Sequence, residues 1–330
     1  MGTVSESLNE AVKEGDRFYG FFPMADSVAF SPGHVSRAGN FTVPRADPTL
    51  AAVYNRYTNL SADSFYTGAG CEDAMLVYRP LFLTAFMLDD YVSLHDLFGA
   101  TQVLLTSASS KTAFALAYML KLRGVKGGVK GGVKVVGLTS PGNVEFCENL
   151  GLYDSVVAYA DVSELSTEPS VVVDMAGSHE VNVSLDKHLS TSLLSNIGVG
   201  LTHNTVLTGD AKDLSENARA VREFFFAPSW IKKRVAEDPT IVSEGVATAY
   251  ASFVAHSDAK RFLTYEQAAG VPEWGKVYAM FAGIEGGEEG RKKAEEECGE
   301  ATGGGGVEES YRRFVGGGKL RPDRAFLLEP

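Results

Sequence analysis

A short polar run between an apolar strand and an apolar helix carries the side chains best suited to chemistry. The run is Ser107, Ala108, Ser109, Ser110, Lys111 and Thr112. Residues 101–106 (TQVLLT) are typical of a buried strand, and residues 112–121 (TAFALAYMLK) are typical of a mostly buried helix. The N–H groups and the dipole at the start of a helix attract phosphate. The run therefore predicts an anion site, although a serine-capped helix with no ligand has the same pattern.

The glycines that normally let a pyrophosphate approach the backbone are missing from this run. Ser107, Ser110 and Ala113 stand where G-x-x-G-x-x-G would place them. Serine narrows the approach but adds a hydroxyl donor, and Lys111 adds a positive charge. A P-loop is not indicated, because both of its glycines are absent. A serine–lysine nucleophile pair is not indicated either, because Ala108 occupies the place of the serine in S-x-x-K.

The rest of the chain alternates valine-rich strands with helices, which predicts a parallel sheet covered on both faces. The predicted strands are residues 101–106, 133–138, 155–159, 170–175, 194–201 and 223–228, and the predicted helices include 143–151, 179–190 and 241–257. Upstream, residues 15–35 predict short strands, and residues 72–92 predict a helix broken at Pro80. Residues 124–134 and 285–306 are of low complexity and predict solvated loops. The fold class is α/β, with a doubly wound parallel sheet.

Ligands of such sheets bind at the carboxyl ends of the strands. The residues to consider are therefore 107–112, 139–143, 174–177, 200–203 and 226–227. His203 follows a predicted strand, and imidazole titrates near neutrality, so it is a candidate catalytic donor. The alternative is a packed histidine with one backbone partner.

Composition limits the class of protein. Lys and Arg total 30 against 42 Asp and Glu, a net charge of −12, which argues against a nucleic-acid-binding surface. Cysteines 71, 147 and 298 are scattered, which indicates a reducing compartment, the cytoplasm, and no structural zinc. No apolar run approaches the length of a membrane span, and the first fifteen residues lack the pattern of a secretory signal.

Several segments together resemble a known family. They are GDRFYGFFPM (15–24), VYNRY (53–57), RPLF (79–82), SASSKTA (107–113), GLTSPGNVEFCENLGLYD (137–154), VDMAG (173–177), VGLTH (199–203) and FFFAP (224–228). This combination is similar to the DUF2855 proteins, a divergent zinc-free branch of the medium-chain dehydrogenases/reductases. The resemblance implies a Rossmann-like cofactor domain at 82–258. It also implies a partial, β-rich GroES-like substrate domain from 1–81 and 259–330, with a shorter segment before the GDR turn than the superfamily normally has.

The resemblance implies a metal-free oxidoreductase that uses NADPH to reduce a carbonyl, enone or quinone. NADPH is favoured over NADH because residues 138–143 contain no carboxylate for a ribose 2′-hydroxyl, whereas Thr139, Ser140 and Asn143 offer donors to a 2′-phosphate. The NADPH-dependent quinone reductases that this unit resembles use a Lys and a Tyr in this part of the cofactor site. Asn143 stands at the Lys position and Tyr159 at the Tyr position. The alternative function is a non-catalytic reductase-fold protein that serves as a nucleotide-binding or interaction module.

The remaining candidates are assigned partly by the same resemblance. Met175, Ala176, Gly177 and Gly200 are expected along the ribose and nicotinamide, and the Phe226 backbone beside the carboxamide. Thr84 is expected on the nicotinamide side, Asp174 is expected to brace the following loop, and Tyr78 is a candidate proton donor that could equally be a packing residue. The expected partners are a small-molecule substrate and, because superfamily members often pair through a sheet edge, a second copy of the chain.

Overall fold

The computed structural model describes residues 1–23, 25, 27–44, 52–125, 132–199, 221–269 and 324–329. The strands are β1 (Gly2–Thr3), β2 (Arg17–Tyr19), β3 (Phe41–Thr42), β4 (Arg56–Asn59), β5 (Gln102–Thr106), β6 (Lys134–Thr139), β7 (Ser155–Ala158), β8 (Ser170–Asp174), β9 (Leu193–Gly198), β10 (Val221–Phe224), β11 (Thr264–Ala269) and β12 (Arg324–Glu329). The α-helices are α1 (Glu72–Leu94), α2 (Lys111–Val125), α3 (Val144–Asn149), α4 (His179–Leu189), α5 (Ala227–Glu237) and α6 (Ala247–Lys260).

Six parallel strands form the main sheet, in the order β10-β9-β8-β5-β6-β7. The chain moves outward from β5 to β7, returns to β8, and then moves outward in the other direction to β10. The strand order therefore reverses between β5 and β8, which is the topological switch point of a doubly wound sheet. This arrangement confirms the predicted fold class.

Each face of the sheet packs a separate apolar core, which explains why β5 and β8 are buried at every residue. Along β5, Val103 and Leu105 face one core, whereas Leu104 faces the other. The first core includes α1, α2 and α6. The second contains Leu185 of α4 and Val162, from the segment that follows β7.

Helix α1 continues through Pro80, so the predicted break is wrong. The helix is held by packing on both sides of the proline: Tyr78 and Phe82 are fully buried, with ring centroids 5.0 and 5.1 Å from that of Phe253 in α6. A proline removes only one helical hydrogen bond, and this burial outweighs that loss. Further along, Arg123 Nε donates to Asp89 Oδ1 at 3.1 Å and joins α2 to α1.

Strand β10 ends at Phe224 and α5 begins at Ala227, so the predicted strand over 223–228 extends too far. Pro228 occupies the first turn of α5, where its missing N–H costs nothing. The predicted helix over 241–257 is confirmed, with a π-helical start at Ile241–Val246 that runs into α6.

A second, antiparallel sheet has the order β1-β2-β4-β3 and a core that includes Phe18, Phe41 and Tyr57. Of the short strands predicted over 15–35, the described residues contain β2 and a bridge at Val35. β11 and β12 pair in parallel. Residues 126–131 and all of 285–306, from the two low-complexity stretches, lie outside the described residues.

Candidate functional site

The turn between β5 and α2, which the sequence predicts as an anion site, contains a residue in the backbone conformation that glycine normally adopts. Ser107, at the first glycine position of the fingerprint, has φ 50°, in the left-handed region that glycine normally supplies. Ser110 N donates to the Ser107 carbonyl at 2.7 Å, and Ser110 Oγ accepts from Ala113 N at 3.3 Å. Ser110 therefore caps α2, and the turn keeps a glycine-like shape at about 1–2 kcal/mol of local strain.

The turn rests directly on β6, and this contact requires small residues. A Cβ on Gly137 would lie 2.9 Å from the Ala108 Cβ and 3.0 Å from the Tyr153 ring. Ala108 N donates to the Leu138 carbonyl at 3.0 Å, and the Tyr153 hydroxyl donates to the Ala108 carbonyl at 2.7 Å. The turn itself contains no glycine, and its position is fixed by contacts with β6 and Tyr153.

Candidates from the ends of β6 and β7 meet the turn. Asn143 Nδ2 donates to Ser109 Oγ at 3.2 Å and to Ser140 Oγ at 3.1 Å, and Ser107 N donates to the Tyr159 hydroxyl at 2.8 Å. Burial raises the pKa of Tyr159 to about 12, so it is a neutral phenol at physiological pH. Thr139 differs from these residues, because it is buried, with only 1 % of its surface exposed.

A buried hydrogen-bond network fixes the loop after β8. Asp174 Oδ1 accepts from Thr106 Oγ1 at 2.5 Å, Ala176 N at 3.0 Å and Gly177 N at 3.1 Å, and its Oδ2 accepts from Asn182 Nδ2 at 2.6 Å. The Thr106 hydroxyl also accepts from the N–H groups of Met175 at 2.9 Å and Ala176 at 3.1 Å. Asp174 therefore braces the loop, in the role expected from the sequence, and its two oxygens are occupied by donors of the protein.

Thr106 and Asn182 were not among the sequence candidates. Thr106 is the last residue of β5, and a polar strand-end residue just before the turn was the available signal. Asn182 extends the hydrogen-bond network to β9, because its Oδ1 accepts from Asn196 Nδ2 at 2.8 Å. Asn182 lies in mid-α4, and its sequence position carried no comparable signal.

The proposed catalytic residues of α1 do not join this cluster. Tyr78 is fully buried in the helical core, its hydroxyl lies 2.7 Å from Ser257 Oγ, and burial raises its pKa above the ordinary tyrosine value. Thr84 Oγ1 donates to the Pro80 carbonyl at 3.1 Å. His203 and Gly200 lie outside the described residues.

Met175 and Ala176, which follow β8 in the middle of the sheet, are buried. Phe226 follows β10 at the end of the sheet, and it is 47 % exposed at the start of α5. The Phe226 carbonyl accepts from Ser229 N at 3.1 Å.

The arrangement fits a dinucleotide on structural grounds. The turn lies at the switch point, the dipole of α2 points its positive end there, and the first N–H groups of a helix lack intrahelical acceptors. Residues 107, 109, 140 and 143 would hold phosphate and ribose oxygens. Among the described residues, no group of three or more His, Cys, Asp or Glu could hold a metal ion, and no helix is both long and apolar enough to cross a membrane.

The chain belongs to the family described as "Protein of unknown function (DUF2855)", whose model matches residues 1–284. No curated protein matches it. Three solved structures are similar at low identity. A Mesorhizobium loti protein proposed as an NADPH:quinone reductase is 11 % identical, with a TM-score of 0.48, over 88 % of this chain and 70 % of that one. The Bacillus subtilis protein yhfP with NAD bound is 16 % identical, with a TM-score of 0.43, over 81 % and 72 %. The quinone oxidoreductase from Thermus thermophilus, solved also with NADPH, is 17 % identical, with a TM-score of 0.41, over 69 % and 75 %.

Proposed function

We propose that this protein binds NADPH across the carboxyl edge of the six-stranded sheet and reduces a carbonyl, enone or quinone of a small molecule in the cytoplasm, without a metal. The observation that carries the proposal is the glycine-like turn of Ser107 at the switch point between β5 and β8. That is where doubly wound sheets bind dinucleotides. The domain division expected from the sequence, with a cofactor domain at 82–258, is part of the same proposal.

Different residues of the turn and its neighbours bind different parts of the dinucleotide. The start of α2 and the Ser109 and Thr112 hydroxyls bind the pyrophosphate, and Lys111 adds charge. Ser140, Asn143 and the Tyr159 phenol receive the adenosine ribose.

Toward the nicotinamide, the braced loop at Met175, Ala176 and Gly177 gives a rigid floor, and the Phe226 backbone receives the carboxamide. A bound nicotinamide supplies the hydride.

The protein's share of the chemistry is to hold the acceptor and to donate a hydrogen bond or a proton to its oxygen. His203 is the proposed donor. Thr84 is a second candidate, because a rotation of its hydroxyl away from the Pro80 carbonyl frees a donor on the half-buried side of α1. Tyr78 is the least favoured of the three, because its hydroxyl is bonded to Ser257 inside the core.

Turnover is tested by mixing the purified protein with NADPH and a panel of quinones, enones and aldehydes, and following the absorbance of the reduced nicotinamide. We expect oxidation with at least one class, lost in His203→Ala and retained in Lys232→Ala, an exposed control on α5. Tight NADPH binding without turnover across the panel would favour the alternative, a non-catalytic nucleotide-binding module. The strained serine turn in place of glycines motivates that alternative.

We also propose that the protein pairs with a second copy through β10. Among the described residues, β10 is an edge strand of the main sheet. Phe224, its last residue, is 56 % exposed, and Phe226, two residues further on, is 47 % exposed. Light scattering of the purified protein should give twice the 35.3 kDa chain mass, and Phe224→Lys should shift it toward the monomer.

A further inference from the structure

Helix α5 begins directly after the residue whose backbone is proposed to receive the nicotinamide carboxamide. That residue, Phe226, is the N-cap of α5 and has an extended backbone, with φ −113° and ψ 100°. Its carbonyl accepts from Ser229 N at 3.1 Å and from Trp230 N at 3.3 Å. The position of the Phe226 backbone therefore depends on where the first turn of α5 lies.

One carboxylate of α1 holds this part of α5. Asp90 Oδ2 accepts from Trp230 Nε1 at 2.8 Å and from Arg234 Nε at 2.8 Å. Trp230 and Arg234 are four residues apart, so they lie on the same face of α5. The side chains of Arg234 and Asp90 are only 17 % and 15 % exposed, which limits the screening of their ion pair by salt.

Aromatic packing by the next residue of α1 supports the same contact. The Trp230 ring meets the Tyr91 ring edge to face, with centroids 4.9 Å apart and planes at 89°, and the Phe225 ring lies 5.4 Å from that of Tyr91. The Tyr91 hydroxyl donates to Glu223 of β10. Successive residues of α1 thus hold the end of β10 and the start of α5, on the two sides of Phe226.

The two acidic partners of Arg234 differ in burial. Arg234 Nη1 also donates to Glu237, three residues further along α5, but the Glu237 side chain is 50 % exposed. Exposed ion pairs contribute little to stability, whereas removing one partner of a shielded pair leaves the other charge uncompensated. Asp90 is therefore the partner that fixes the place of α5, and Glu237 offers a matched control.

We infer that Asp90 is a positioning residue for the nicotinamide end of the cofactor site: it holds α5 through Trp230 and Arg234, and α5 in turn holds the Phe226 backbone. The inference rests on the proposed function, since it needs a nicotinamide beside Phe226. A backbone group that is already in place does not have to be ordered when the ligand binds, which strengthens binding. Loss of Asp90 should therefore weaken the contact with the nicotinamide and leave the turn between β5 and α2 unchanged.

The test is calorimetric titration of NADPH and of adenosine 2′,5′-bisphosphate, which carries the adenosine end of NADPH without the nicotinamide. Loss of one hydrogen bond to the carboxamide predicts that Asp90→Ala weakens NADPH binding about tenfold and bisphosphate binding less than about twofold. Asp90→Asn keeps an oxygen acceptor for Trp230 and Arg234, so its NADPH affinity should stay within about threefold of the wild type. Glu237→Ala removes the exposed partner of Arg234 and should bind both ligands as the wild type does.

A second variant decides the question if Asp90→Ala does not fold, which circular dichroism shows. Trp230→Phe keeps an aromatic ring beside Tyr91 and keeps the pair of Asp90 and Arg234, but it removes the indole N–H donor. It should weaken NADPH binding about threefold and leave bisphosphate binding unchanged.

The outcomes separate the inference from the function beneath it. If a folded Asp90→Ala, or Trp230→Phe in its place, binds NADPH as the wild type does, the positioning role is refuted and the proposed function stands. Equal losses of affinity for NADPH and for the bisphosphate refute the positioning role in the same way. A folded wild type that does not bind NADPH refutes both.

Discussion

Asp174 offers the sharpest test of how the carboxyl edge is held together. It is 4 % exposed and accepts four hydrogen bonds from protein donors. The substitution Asp174→Ala removes all four acceptor contacts at once while leaving the apolar core intact. We expect it to loosen the loop after β8 and to lower the free energy of unfolding.

The size of the loss follows from which donors keep a partner. Ala176 N still has the Thr106 hydroxyl at 3.1 Å, and Asn182 Nδ2 still has the Ser178 carbonyl at 2.9 Å. The Thr106 hydroxyl hydrogen and Gly177 N lose their acceptor. Two orphaned donors at about 1–3 kcal/mol each, less the relief of no longer burying a carboxylate, predict a loss of about 3 kcal/mol.

The assay is urea denaturation followed by circular dichroism, with the midpoint and slope fitted separately. The midpoint should fall in Asp174→Ala, and fall less in Asp174→Asn, which keeps one oxygen for the backbone donors. Asp161→Ala, at an exposed carboxylate, is the control and should change stability by less than about 0.5 kcal/mol. A loss below about 1 kcal/mol for Asp174→Ala would refute the reasoning, because the network would then contribute nothing to the fold.

Three further predictions concern the turn and the helical core. Gly137→Ala should cost about 1–3 kcal/mol, measured by the same denaturation, because the new methyl meets Ala108 at 2.9 Å; no loss would mean that the turn is not tightly seated. Tyr78→Phe should lower the free energy of unfolding by about 1 kcal/mol, because it leaves the Ser257 hydroxyl without its partner. Tyr250→Phe should be neutral or stabilising, because among the described residues the Tyr250 hydroxyl has no hydrogen-bond partner. Equal losses of stability in the two variants would contradict this. Burial raises the pKa of both phenols above their value in the unfolded chain. The stability that this difference contributes is therefore fully present below about pH 10 and is lost as the pH rises further and the buried phenols ionise. The melting temperature should fall above that pH, and fall less in Tyr250→Phe.

The secondary structure around the site could be predicted from the sequence. The strand, polar turn and helix around residues 101–121 depend on periodicity and on serine capping, both of which operate within a few residues. The parallel sheet with helices on both faces follows from the alternation of strands and helices, which is also visible in the sequence. Pro80 shows the limit of this reasoning: a proline is a local signal for a break, and burial of Tyr78 and Phe82 overrides it.

The contacts that complete the site are long-range, and the sequence did not indicate them. Thr106 and Asp174 are 68 residues apart and meet only because β5 and β8 are neighbours. The left-handed φ of Ser107 is uncommon for serine, so the residue type does not predict it.

The proposed function depends on phosphate binding at the turn between β5 and α2. The most direct measurement is calorimetric titration of NADPH into the wild type, Ser110→Asp and the control Ser243→Asp. Aspartate caps a helix as well as serine does, so Ser110→Asp should keep α2 intact while placing a negative charge at the phosphate. We predict that the wild type and Ser243→Asp, an exposed site on the π-helix, bind NADPH and that Ser110→Asp loses binding by at least about a hundredfold. Equal binding by Ser110→Asp and the wild type, or no binding by the folded wild type, would contradict the central claim.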